Sequence, residues 1–169
     1  MRGEMPLVVQ LEIRRAGPED AAVVARVLQE SFAEFKPLYS DGGFGATTPR
    51  AEQVLARMRE GPVWLALHEG VALGTVAIVV KGASAYIRGM AVLPAARGSG
   101  TGSALLRNVE IWALKAGCAR LFLSTTPFLG AAIRLYERFG FHFTDTDEET
   151  HELFGTPLLT MEKNISSLG

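Results

Sequence analysis

Two stretches of this sequence carry residues at spacings that suit chemistry. The first is Arg97-Gly98-Ser99-Gly100-Thr101-Gly102, followed by Ser103. Residues without a Cβ let backbone N–H groups approach an anion closely. If a helix begins there, its unpaired amides and its dipole favour negative charge as well. Such a segment, with the Arg97 cation at its mouth, suits a phosphate or pyrophosphate. Its frame excludes two commoner nucleotide motifs. No lysine follows the glycines as a P-loop requires, and the third glycine of a dinucleotide fingerprint is replaced by Ser103 in one frame and Leu105 in the other. Read alone, the segment is also compatible with a ligand-free strand-to-helix turn. The second stretch is Leu135-Tyr136-Glu137-Arg138-Phe139-Gly140-Phe141. A tyrosine, with a reference pKa of about 10, keeps its proton at neutral pH and can donate it to a leaving group. Ala132, Leu135 and Phe139 lie at helical spacing around Tyr136, so a core aromatic is the other reading.

The remaining reactive side chains give no pattern. His68, His142 and His151 are scattered without metal-ligand spacing, and no metal site is expected. Cys118, the single cysteine, can form no internal disulfide and reads as a small buried thiol. The 169 residues suggest one domain, 1–169, large enough to fold without staples. A net charge of -1 does not indicate a nucleic-acid partner. The N-terminal residues lack the apolar core and cleavage site of a signal peptide. No apolar run approaches the roughly 18 residues that suggest a membrane span. A soluble cytoplasmic protein is expected.

The elements that must position the two stretches can be read from periodicity and punctuation. Residues 8–14 alternate as a strand. Gly17-Pro18-Glu19-Asp20 opens a helix with Val23, Val24, Val27, Leu28 and Phe32 on one stripe. Residues 36–48, with Pro37, Asp41 and three glycines, read as a long loop. A helix over 49–60 follows, then strands over 63–68, 72–80 and 86–93 as an antiparallel meander. Pro94 stops the last of these, and the glycine-rich segment leads into a helix that reaches Ala116 and is capped by Gly117. Strand 120–124, helix 130–139 and strands over 141–144 and 158–163 close the chain. The crossover from strand 86–93 to strand 120–124 is expected to be parallel and right-handed.

Arg-x-x-Gly-x-Gly after a Val-x-Pro strand end, followed one helix and one strand later by Leu-Tyr-x-x-x-Gly-Phe, resembles the GCN5-related N-acetyltransferase (GNAT) family. The resemblance extends over the order of elements from Val8 to Lys163. It implies an α/β fold with a central, mostly antiparallel sheet of about seven strands, splayed between strands 86–93 and 120–124 and flanked by about four helices. It also implies acetyl-CoA as cofactor. The backbone at Met90, Ala91 and Val92 would pair with pantetheine as a pseudo-strand. Arg97, Gly98, Ser99, Gly100, Thr101, Gly102 and Ser103 would hold the pyrophosphate, and Tyr136 would be the general acid. An amide near Val92 would face the oxyanion. Tyr39, Asp41 and Phe44, in the segment that commonly walls the acceptor site, are candidate substrate contacts. The partner is an amine acceptor, a small molecule or a peptide, and a homodimer is one assembly that the resemblance allows. Three departures bear on the base and on acetylation of protein termini: strand 86–93 has no acid, and Ser124 and Leu129 stand where the family often has glutamate and asparagine. The acidic run Asp145, Asp147, Glu148 and Glu149 reads either as a solvated loop or as an attractor for a cationic acceptor, and Arg134 and Arg138 as phosphate contacts or solvated cations. A non-catalytic acyl-CoA sensor is the rival to an enzyme.

Overall fold

The computed structural model describes residues 10–144 and 152–166. In chain order its main elements are β1 (Glu12–Arg15), α1 (Ala21–Phe32), α2 (Asp41–Thr47), α3 (Ala51–Met58), β2 (Val63–His68), β3 (Val71–Lys81), β4 (Ser84–Val92), α4 (Thr101–Lys115), β5 (Arg120–Thr125), α5 (Gly130–Arg138), β6 (His142–Phe143), β7 (Glu152–Leu153), β8 (Thr156–Pro157) and β9 (Leu159–Asn164). One seven-stranded sheet runs in the order β1-β2-β3-β4-β5-β9-β6. Each neighbouring pair in it is antiparallel except β4 with β5. The mixed α/β architecture and the mostly antiparallel sheet agree with the sequence reading, with five α-helices rather than about four.

The sheet is covered on both faces, and strand alternation divides the core between them. Along β2, Val63, Leu65 and Leu67 turn to α1 and α3, while Trp64 and Ala66 turn to α4 and α5. On α1, Val24, Val27 and Leu28 recur at helical spacing and are buried. On α4, Leu105, Leu106, Val109 and Ala113 are fully buried, and Cys118 lies in the same cluster. Burial pushes the Cys118 thiol above its ordinary pKa, as expected for an inert packed sulfur. The entry to α1 is fixed by Asp20. Its carboxylate accepts from the Gly17 amide at 2.9 Å and from both Arg14 terminal nitrogens at 2.9 and 3.2 Å.

The reading of residues 36–48 as a loop is corrected. A 3-10 helix spans Ala33–Leu38, and α2 follows. Tertiary contacts and capping outweigh the poor helix propensity of Gly42, Gly43 and Gly45. Ser40 caps α2, its hydroxyl accepting from the Gly43 amide at 2.9 Å. Thr47 and Thr48 donate to the carbonyls of Gly43 and Phe44. The Ser40 amide donates to Thr156 Oγ1, which ties this segment to the β7–β8 hairpin, an element that the sequence did not suggest. Residues 8 and 9 of the first expected strand, the acidic run at 145–149 and His151 lie outside the described residues.

Candidate active site

Strand β4 leaves β5 part-way along its length. The two pair at Ser84–Arg120, Ala85–Leu121, Tyr86–Phe122 and Ile87–Leu123, and no further. The cause is local. Against β3, Thr75 faces Ala91 while Ala77 faces Arg88, so β4 carries one residue more than its partner there. Gly89 takes φ +62° at that point. Such a bulge bends its strand and sharpens the twist. Beyond it Ala91 and Val92 stay paired to β3 on one side, and Met90, Ala91 and Val92 have no β5 partner on the other. The result is a slot between two strands, edged by backbone.

The glycine-rich segment begins where that slot ends. Pro94–Ala96 form a 3-10 turn, Gly98 has φ +81°, and Gly100, the residue before α4, has φ +90°. A side chain in this left-handed region costs about 1–2 kcal/mol, which is why glycine suits both positions. No side chain caps α4, so the amides of Thr101, Gly102 and Ser103 lack an acceptor within the helix. Ser99 Oγ donates to the Ala96 carbonyl and lies 2.8 Å from Thr101 Oγ1, which holds the turn closed. Gly102 has a further role. A Cβ there would come within 2.7 Å of Leu135 Cδ2, so the bare position lets α5 pack on the start of α4. Arg97 turns away from the segment. It donates to Glu34 Oε1 at 2.8 Å and to the Ser31 carbonyl at 3.0 Å, and its guanidinium lies over the Phe35 ring.

The same packing of α5 sets Tyr136 one residue from the α4 contact. Its ring is buried 5.8 Å from that of Phe141. Burial pushes the phenol well above its ordinary pKa, and the Tyr39 phenol adds to the effect. Tyr39 is itself buried, with its pKa raised by desolvation and partly offset by the Thr126 and Thr47 hydroxyls. Around it lies an aromatic wall: Tyr39 meets Phe128 edge-on at 4.9 Å and Phe44 at 5.9 Å, and Phe35 lies 6.3 Å from Phe128. Asp41 is exposed in the first turn of α2.

Such an arrangement can hold an extended chain along β4, an anion at the α4 start and a protonated phenol nearby. The sequence matches the Acetyltransferase (GNAT) family over residues 25–141. It is also 32% identical over 140 residues to the uncharacterized N-acetyltransferase YjgM of Escherichia coli (strain K12), a match spanning 79% of this chain and 83% of that one.

The chain belongs to the GNAT acetyltransferase family.

Solved structures agree on the fold of this GNAT enzyme. The ribosomal-protein-S18-alanine N-acetyltransferase of Escherichia coli aligns with a TM-score of 0.74 at 20% identity, covering 95% of this chain and 97% of that one. The paia N-acetyltransferase of Thermoplasma acidophilum, in complex with coenzyme A, aligns at 0.75 with 18% identity, over 92% and 99%. The GNAT fold family uses acetyl-CoA, and the acyltransferase reading of the sequence stands.

Within this GNAT chain the two described histidines have partners elsewhere in the sheet. His68 Nδ1 is 2.9 Å from the Gln10 carbonyl at a hairpin end. His142 is exposed and pairs with Glu162 across β6 and β9 at 3.4 Å. Strand β4 carries no acid, and Ser124 pairs with Thr160 on β9. Among the described residues no group of three or more His, Cys, Asp or Glu could hold a metal ion, and no helix is long and apolar enough to cross a membrane. The sequence reading missed Phe128 and Phe35 in the aromatic wall. Phe128 follows Pro127 just ahead of α5, a placement that marks a rigid loop facing the α1–α2 segment once the fold is known.

Proposed function

We propose that this chain is one catalytic domain that moves an acetyl group from acetyl-CoA to an amine by direct attack. The observation that carries the reading is the slot at Met90, Ala91 and Val92 opening directly onto the uncapped start of α4. When bound, acetyl-CoA supplies an activated thioester. The amides at 98–103 hold its pyrophosphate, and the free β4 edge pairs with its pantetheine arm as an added strand. Arg97 contributes once it leaves Glu34. A backbone amide near Val92 faces the acyl oxygen, where negative charge develops.

The amine nitrogen bonds to the acyl carbon, the carbon–sulfur bond breaks, and Tyr136 gives its proton to the sulfur. Its raised pKa keeps that proton in place at neutral pH. The amine sheds its own proton to water, which also restores the phenol. For an alkylamine, reaching the free base at pH 7 costs about 4–5 kcal/mol from its reference pKa. Tyr39 and Phe44 wall the acceptor side from within, and Asp41 stands at its exposed rim.

The bare β4 face, with no carboxylate to serve as base, favours one second reading: a non-catalytic acyl-CoA sensor. Release of thiol from acetyl-CoA across a broad amine panel separates the two. Tight acetyl-CoA binding with no release on any acceptor would leave the sensor.

A further inference from the structure

The face of the sheet opposite Tyr136 carries an unneutralised cation at the bulge. Arg57 lies on α3, one turn after the buried Val54. Its side chain runs inward, and Nη1 lies 3.3 Å from where a Gly89 Cβ would stand. With Val24, Leu28, Val54, Thr75 and Gly89 it lines a small cavity against the bulge. Nη2 donates to the Ala46 carbonyl at 3.0 Å. A guanidinium carries five N–H donors in a planar fork, and a backbone carbonyl brings it no opposite charge. No described carboxylate stands at ion-pair distance from Arg57. Beside it on β4, Arg88 takes Glu60 as its own partner, Nη2 to Oε1 at 2.5 Å. The Arg88 Nε is buried without a hydrogen-bond partner. Two guanidiniums therefore stand near one carboxylate, which pairs with Arg88 alone, and burial together with Arg88 depresses the Arg57 pKa.

Half-buried charge of this kind is costly unless an opposite charge meets it. A planar fork meets a carboxylate best. Its place is telling as well: Gly89, which Arg57 approaches, lies just past the last β4–β5 pair and is followed directly by the Met90–Val92 edge of the slot. We infer that the amine acceptor carries a carboxylate a few bonds from its nitrogen, as in an amino acid, and that Arg57, with Arg88 beside it, seats that carboxylate at the bulge while the nitrogen reaches the slot. This rests on the acetyl-transfer reading above. It also disfavours polycationic acceptors, whose second charge would meet two guanidiniums.

The test uses product-like probes on the full chain loaded with coenzyme A. N-acetylated glycine, leucine and phenylalanine are titrated by calorimetry against their carboxamides, with the coenzyme titration run first. In the wild type at least one acid should bind tenfold or more tighter than its amide. In Arg57→Gln the ratio should fall to about one with coenzyme affinity unchanged, and Arg57→Lys, which keeps charge but loses the fork, should fall between. Equal binding of acids and amides, binding of no acid, or an acid preference that survives in both Arg57→Gln and Arg88→Gln would overturn the inference. The wild-type comparison stands even if a variant fails to fold. Failure of coenzyme A to bind in the first titration would instead overturn the acetyl-transfer reading.

Discussion

Gly70 and Gly98 form a matched pair for testing the anion cradle. Gly70, in the β2–β3 turn, has φ +79°, and Gly98 has φ +81°. A Cβ added at either would meet nothing within 4 Å. Alanine at each position therefore pays the same backbone strain, about 1–2 kcal/mol. Reduced freedom of the unfolded chain offsets about 0.4–1 kcal/mol of that. The net loss, between about zero and 1.6 kcal/mol, corresponds to at most about 6 °C in Tm for a chain of this size. Differential scanning calorimetry should find the two variants alike. Acetyl-CoA titration should not. Gly70→Ala should bind within twofold of the wild type, and Gly98→Ala at least tenfold more weakly, a difference of about 1.4 kcal/mol or more. Equal affinities in the two variants would refute the placement of the pyrophosphate at this turn. Unequal Tm losses would refute the strain argument.

Tyr136→Phe should cut kcat at least tenfold while acetyl-CoA affinity, measured by titration, survives; unchanged turnover would remove Tyr136 from the chemistry. Because its phenol is pushed above its ordinary value of about 10, the wild-type rate should show no alkaline fall up to about pH 9, and a lower limb there would contradict its role as acid. Glu34→Gln should tighten acetyl-CoA binding a few-fold by freeing Arg97, in line with the few tenths to one kcal/mol of an exposed ion pair; weaker binding would mean that Glu34 positions Arg97 for the ligand. Asp20→Asn should lower stability at pH 7 by about 1–2 kcal/mol through lost charge-assisted hydrogen bonds. The Arg14 guanidinium and the Gly17 amide hold the Asp20 carboxyl below its ordinary value, so that stabilisation is present above the unfolded pKa of about 3.9 and is lost as pH falls through the lower folded value. Urea melts of the two proteins should converge in acid.

The order of strands and helices was legible because its signals are local: alternation in β2 and β3, the Leu105–Val109 spacing of α4, and glycine stops at 117 and 140, both with positive φ in the structure. The cradle was legible for the same reason, as one unbroken segment. The α2 helix was not, because its stability comes from distant partners. Tyr39 is buried between Phe44 and the distant Phe128, and Ser40 is held by Thr156, more than a hundred residues on. The one local clue was Ser40 followed by Asp41, a helix-start pair masked by three glycines. The Arg97–Glu34 pair and the Arg57–Gly89 approach join residues far apart in sequence. Arg57 did leave a trace, as a cation between Val54 and Met58 on an otherwise apolar stripe.

The short β4–β5 ladder has a consequence for how the molecule breathes. Four paired positions join the plate formed by β1 to β4 to the plate formed by β5, β9 and β6, while the six-rung ladder between β5 and β9 knits the second plate along its whole length. Of the two ladders that hold β5 in the sheet, the one to β4 is the shorter, and local opening favours such sparsely bonded seams. Amides beside that seam would exchange with deuterated solvent through small scissoring motions, long before the α4 core lets go. A ligand lying along the seam would couple the plates, so that two cooperative units melt as one.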